Sequence, residues 1–338
     1  MEGVVSLARR PHKMRSLFPG DASNETTPPT NAMKFLLACL FVLPLSLFAQ
    51  PTELAPATSQ QLRMQEDTLR ELSYIMHTDS SADNRFAACK RLIKGLVDAL
   101  KTPNSYQFPF DSLPGVVVKE SPDHSFRIFS WELHVDADNY RHYGAIQRNS
   151  PTLQLTPLID RGDRIMKNPE YATLSAEDWL GYVVYDLVPA GRYEGHPMYF
   201  VFGFDRYAKF QRQKVLDVMY FDATGKPVFG APVFETYNEE NLLVPDRQRI
   251  ILQYGAEASA VLRYERSSNR VVYENLIMTP GDGASGPVQM PDGSYRALEL
   301  TDRGIWRQID KVYDHKYEEA PREAGKAPAG QDLFGRRN

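Results

Sequence analysis

SFRIFSWELHV, residues Ser125 to Val135, carries a period-two alternation. Arg127, Phe129, Trp131, Leu133 and Val135 share one face, and Phe126, Ile128, Ser130, Glu132 and His134 share the other. A polar break, DADN, separates it from a second strand-like run, YRHYGAIQ, so a β-hairpin is expected here. The pattern continues downstream through GYVVYDLV, MYFVFGF, KVLDVMYF, PVFGAPVF, RIILQY, SAVLRYER, RVVYENLI, YRALEL and GIWRQIDKVY. Turn residues punctuate these runs: Asp222 to Gly225, Ser267 to Asn269, and a further reversal expected at Asp292-Gly293. About a dozen short strands with tight connections predict antiparallel sheet, because a parallel crossover needs a dozen or more residues. In KVLDVMYF both faces are largely apolar, as expected of a strand covered on both sides. The echo between Phe129-Ser130-Trp131 and Phe202-Gly203-Phe204 has no fixed period, which leaves a curved sandwich, an open barrel and a propeller-like arrangement all compatible.

Upstream of Pro103 the period changes. Leu62, Leu69, Leu72 and Ile75 or Met76 recur at helical spacing between Ser59 and Met76, and Ala82 to Leu100 reads as a second amphipathic helix after the polar break HTDSSADN. The fold class is therefore α+β, mostly β. A helical hairpin (50–102) should pack on a large antiparallel β domain (103–318) and cover its own apolar stripes there.

MKFLLACLFVLPLSLFAQ, Met33 to Gln50, has a basic residue, a short apolar run and a small residue at the cut, Ala49. It reads as a secretory signal (33–49), with residues 1–32 as an extension ahead of the start at Met33. The run is too short for a transmembrane helix, so no span is expected after cleavage. Residues 319–338, rich in Pro, Gly, Ala and charge, read as a disordered tail.

Removing the five basic and three acidic residues of 1–49 leaves 34 basic against 40 acidic, a formal charge of −6. That balance gives no electrostatic reason to expect nucleic acid. Cys39 would leave with the signal and Cys89 would stand alone, so stability must come from packing rather than disulfides. Cys89 falls on the helical stripe of Phe86, Ile93, Leu96 and Leu100, the environment of an inert core thiol.

No string completes a catalytic or cofactor motif. GDGASGP (Gly281 to Pro287) has the composition of a protease nucleophile loop but the wrong spacing, and Pro287 fills the place of the last glycine in a GxSxG elbow. Glu132, His134, Asp136 and Asp138, with His142 across the turn, form the densest polar cluster. Tyr140 stands where a calcium loop needs a ligand, so a solvated hairpin end is expected, with no metal and no cofactor. Glu132, Asp205 and Asp217 each interrupt an aromatic strand and are the acid–base candidates for a glycosidase-like hydrolase. Aromatics make up 11% of the chain and concentrate in the strands, where flat rings can also bind sugars or peptides. The ligand-binding candidates are therefore Trp131, Glu132, His134, Phe204 and Asp205, with an envelope glycan or peptide as the partner.

RIFSWELHV, DWLGYVVYDLVP, YFVFGFDR, KVLDVMYFDATGKPVFGAPVF and RIILQYGAEASAVLRYERSSNRVVYENLI span most of residues 115–310. In these strings the chain resembles a family of uncharacterised exported proteins of Gram-negative bacteria. The resemblance implies export, periplasmic or envelope-associated, and a β-rich fold; it assigns no activity and no catalytic residue. Gly281 to Ser294 departs from the aromatic-rich loop of that family, so a binding role for that loop does not carry over.

Overall fold

The computed structural model describes residues 54–165, 167–238, 240–281 and 286–310. The expected extension, signal and tail, and most of GDGASGP, lie outside the described residues. Two helices come first, α1 Pro56–Thr78 and α2 Ala82–Leu100. Pro56 opens α1, where its missing N–H would have had no helical partner. Ser81 caps α2 by accepting the Asn84 N–H.

The strands follow in three sheets. Sheet 1 runs in chain order: β1 Val116–Glu120, β2 Phe126–Asp136, β3 Asn139–Arg148 and β4 Leu155–Ile159. Sheet 2 is built from β5 Leu174–Ser175, β6 Val183–Tyr193, β7 His196–Ala208, β8 Gln211–Phe221 and β9 Pro227–Phe229, in the order β5-β9-β8-β7-β6. After β10 Phe234–Tyr237 and β11 Leu243–Arg247, the chain returns with β12 Ile250–Gly255 to pair with β8. β13 Leu262–Glu265, β14 Arg270–Thr279, β15 Val288–Leu300 and β16 Trp306–Ile309 complete sheet 3, ordered β11-β10-β16-β15-β14-β13. The sheets are antiparallel except where β10 runs parallel to β16, and none closes on itself. The protein is mostly β.

Alternation explains the stacking. Phe129, Trp131 and Leu133 of β2 bury against Leu62, Leu69 and Met76 of α1 and Leu92 and Leu96 of α2. The opposite face of β2 sends Phe126 and Ile128 towards sheet 2, where they join Trp179, Tyr182, Tyr199 and Val201. The far face of sheet 2, with Met198, Phe200, Phe202, Leu216 and Val218, packs on Phe234, Val271, Leu298 and Trp306 of sheet 3. Sheet 2 is thus covered on both sides, which is why MYFVFGF and KVLDVMYF carry apolar side chains at nearly every position. Each such buried side chain contributes about 1.5–3 kcal/mol.

At the Asp222 turn, Gly225 (φ 79°) donates its N–H to the Asp222 carbonyl at 2.9 Å. Asp292-Gly293 makes no reversal: both residues lie inside β15, which pairs with β14 on either side of them. Between Glu274↔Tyr295 and Leu276↔Pro291 only Asn275 stands opposite Asp292, Gly293 and Ser294, so the segment is a bulge. A glycine at φ 80° inside a strand absorbs extra residues without breaking the ladder. Cys89 is a free, buried thiol. Among the described residues no helix is long and apolar enough to cross a membrane.

Candidate functional site

The β2–β3 register sets Glu132 directly opposite His142, and both fall on the face turned to sheet 2. There the apolar filling between the two sheets gives way to charge. Asp160 arrives just past the end of β4, and Asp205 and Arg206 arrive from the end of β7. The result is one imidazole among three carboxylates, with a guanidinium beside them.

Asp160 holds one side of the ring. Its Oδ2 lies 3.5 Å from His142 Nδ1 and accepts the His142 backbone N–H at 2.8 Å, while its Oδ1 accepts the Gly162 N–H at 3.0 Å. Gly181 makes room for this carboxylate: a Cβ there would stand 2.4 Å from Asp160 Oδ1, and its φ of +83° also favours glycine. The other ring nitrogen, Nε2, lies 3.5 Å from Asp205 Oδ1 and 4.0 Å from Glu132 Oε2. Neither Nε2 nor Glu132 Oε2 makes a hydrogen bond, although both atoms are buried. Arg206 Nε donates to the other Glu132 oxygen at 2.5 Å, and its guanidinium lies 5.7 Å from the centre of the Tyr140 ring. Asp205 Oδ1 accepts the Tyr207 N–H at 2.7 Å, which fixes the start of the β7–β8 turn.

Burial alone would lower the His142 pKa, but the Asp160 hydrogen bond and the charges of Asp205, Asp160 and Glu132 outweigh it and raise the value. Burial pushes Asp160 up, yet its bonds to the His142 ring and to the His142 and Gly162 N–H groups bring it below the ordinary carboxylate range. For Asp205 burial wins, and its pKa stands raised despite the neighbouring imidazole. A base oriented at Nδ1 by a carboxylate is half of a nucleophilic triad. At Nε2, however, the ring faces two carboxylates rather than a hydroxyl or thiol. The cluster can take up and release a proton. Among the described residues no three ligating side chains are set to hold a metal ion.

The other sequence candidates scatter. Trp131 is 3% exposed and stacks on Tyr143 at 5.7 Å beneath the helices, so its face is closed to any ligand. Phe204 is half-buried and, by alternation, shares the sheet 3 side of β7 with Phe200 and Phe202, opposite Asp205. His134 is exposed and stacks on Tyr140 at 5.1 Å. Asp217 is fully buried in an ion pair with Arg249 at 3.0 Å and accepts the Tyr182 hydroxyl at 3.1 Å, far from solvent. Asp136 closes its own turn by accepting from Asp138 N and Asn139 Nδ2.

Of the five ligand-binding candidates, then, only Glu132 and Asp205 meet, and His142 joins them as the hairpin register requires. Asp160 and Arg206 escape sequence reasoning because they come from a loop and from another sheet. The only local sign of Asp160 is its place in Asp160-Arg161-Gly162, a turn-like string after an apolar strand. The end of the β2–β3 hairpin carries the His134–Tyr140 stack, and the β7–β8 end carries Tyr207 and Phe210, 38% and 39% exposed. No family model, curated protein or solved structure matches the chain.

Proposed function

We propose that this is an exported, non-catalytic envelope protein that binds a glycan or peptide where the β2–β3 and β7–β8 turns meet. One observation carries the reading. The charged groups that would do chemistry face one another, and Arg206 joins the β7–β8 end to Glu132 and to the Tyr140 ring, while Tyr207 and Phe210 on the same β7–β8 turn stay open to solvent. Exposed rings on a rigid turn bury area on a ligand at small entropic cost. Export rests on the leader Met33 to Ala49. We read residues 50–102 as an N-terminal helical hairpin docked on a curved stack of open sheets. Burial of Leu62, Leu69 and Leu72 counts against that hairpin as a scaffold's docking face.

The test is titration of the full chain with soluble peptidoglycan fragments and with mixed oligopeptides, followed by NMR shifts. Shifts should map to residues 134–142 and 205–212, and the double variant Tyr207→Ala, Phe210→Ala should weaken binding tenfold or more. Shifts that map elsewhere, or unchanged affinity in the double variant, would refute the site.

A hydrolase is the second reading, and a specific observation favours it: Glu132 and Asp205 converge, and the Asp205 pKa is raised. It ranks second because the imidazole fills the space between the carboxylates, where a substrate would have to lie. Turnover of a peptidoglycan or glycan substrate that disappears in both Glu132→Gln and Asp205→Asn would reverse the order.

A further inference from the structure

We propose that the His142 cluster is a proton-operated latch: the protonated ring tightens the end of β7 onto sheet 1, and its deprotonation loosens the start of the β7–β8 turn. The latch stands whether or not that turn binds a ligand.

Geometry carries it. The charged groups facing His142 are Glu132 from β2, Asp160 beyond β4, and Asp205 with Arg206 from β7. With a neutral ring, three carboxylates face one guanidinium, two of them on sheet 1 and one on sheet 2. A proton on the ring supplies the missing cation at the one atom, Nε2, that faces Asp205 across the joint and is otherwise without a bond. His142 is only 4% exposed, so the uncompensated charge has little access to water.

The mobile part has defined ends. Beyond Asp205 the β7–β8 turn is tied to itself: Arg212 Nη1 donates to the carbonyls of Arg206, Ala208 and Gln211. Nearer the centre, Ser130 Oγ accepts the Val184 N–H at 2.9 Å and pins sheet 1 to sheet 2 independently of any proton. The far end of the turn is held by β12, where Gln211 and Arg212 pair with Gly255 and Tyr254 and the Phe210 carbonyl accepts the Ala256 N–H at 2.9 Å. The part that can open locally is therefore 205–209, with Arg206 still bonded to Glu132 and the apolar joint behind it shut.

The sign follows from linkage. A histidine whose pKa is raised in the fold contributes fully below its unfolded value of about 6.5, and that contribution is lost as pH climbs through the folded value. Asp205, also raised, favours the proton in the same sense, whereas Asp160, lowered, stays ionised throughout. The latch closes in acid and opens in base.

Hydrogen exchange of the full chain, expressed as protection factors from about pH 5.5 to about pH 8.5, tests it alongside NMR titration of the His142 ring. Protection over 205–209 should fall tenfold or more as pH rises, that over 199–204 and over the β12-paired 211–212 should hold, and the ring should titrate above 6.5. Asp205→Asn should abolish the pH dependence of protection, and His142→Gln should leave the segment at its low, high-pH protection at both ends of the range. Should His142→Gln fail to fold, the wild-type titration and Asp205→Asn decide the matter. pH-independent protection, a ring that titrates below 6.5, or loss spread evenly over the sheets would overturn the latch.

Discussion

Replacing Arg249 by methionine takes from Asp217 the only cation paired with it among the described residues, and both side chains are fully buried. In the native protein Arg249 Nε donates to Asp217 Oδ1 at 3.0 Å, while its other nitrogens donate to the carbonyls of Ala172 at 2.8 Å, Phe229 at 3.2 Å and Pro169. Asp217 is served further by the Tyr182 hydroxyl at 3.1 Å and the Val218 N–H at 2.9 Å. Breaking a buried pair from one side costs about 3–5 kcal/mol, because the surviving charge is left without compensation. Each carbonyl that loses its donor adds about 1 kcal/mol. Against a total stability on the order of 5–15 kcal/mol, Arg249→Met should approach the limit of what the fold tolerates.

The pH dependence separates this cause from a simple packing defect. Burial raises the Asp217 pKa, and the charge and hydrogen bond of Arg249 pull it back only in part. Without Arg249 it rises further, so the folded variant keeps a proton that the unfolded chain gives up above about pH 4. The stability of the variant should therefore fall as pH rises, by up to about 1.4 kcal/mol per unit until the folded pKa is reached. Urea denaturation followed by tryptophan fluorescence at about pH 4.5 and about pH 7 measures both effects. Trp179, 5.0 Å from the Tyr182 ring, is a local reporter. The double variant Asp217→Leu, Arg249→Met should recover most of the loss, since an apolar pair can replace a buried ion pair. A deficit below about 1 kcal/mol for Arg249→Met at neutral pH, or an equal deficit at both pH values, would refute this account.

Two further outcomes test the packing between sheets. Gly203→Ala would set a Cβ 2.4 Å from Tyr182 Cδ2, and crowding a filled core should cost about 1–3 kcal/mol, read as a lowered thermal midpoint; an unchanged midpoint would mean Tyr182 has room to shift. Cys89, 2% exposed with its thiol pKa raised by burial, should react with a thiol reagent only through opening of the fold. Its labelling in native buffer should be at least a hundredfold slower than in urea, and equal rates would place the thiol outside the core.

The β-rich class was legible because alternation is a local property. SFRIFSWELHV shows which side chains share a face, and the doubly apolar KVLDVMYF shows that something covers both sides of its strand. The hairpin break at DADN likewise put His142 across the turn from Glu132, and the structure sets the two directly opposite each other. Alternation does not say what the cover is. Trp131 and Glu132 are neighbours on one strand, yet helices close over the first and the end of sheet 2 meets the second. Asp205 and Asp217 both interrupt aromatic runs, yet one faces an imidazole near the surface and the other is locked to Arg249 in the interior. At Asp292-Gly293 the local signal was real, but the partner strand made it a bulge. Chain order and local period determined the strands, their faces and their turns. Only the stacking of sheet 1 on sheet 2 decided that Glu132 meets Arg206 and that His142 meets Asp205, because the Glu132–Arg206 contact joins residues seventy-four positions apart, beyond the reach of any local pattern.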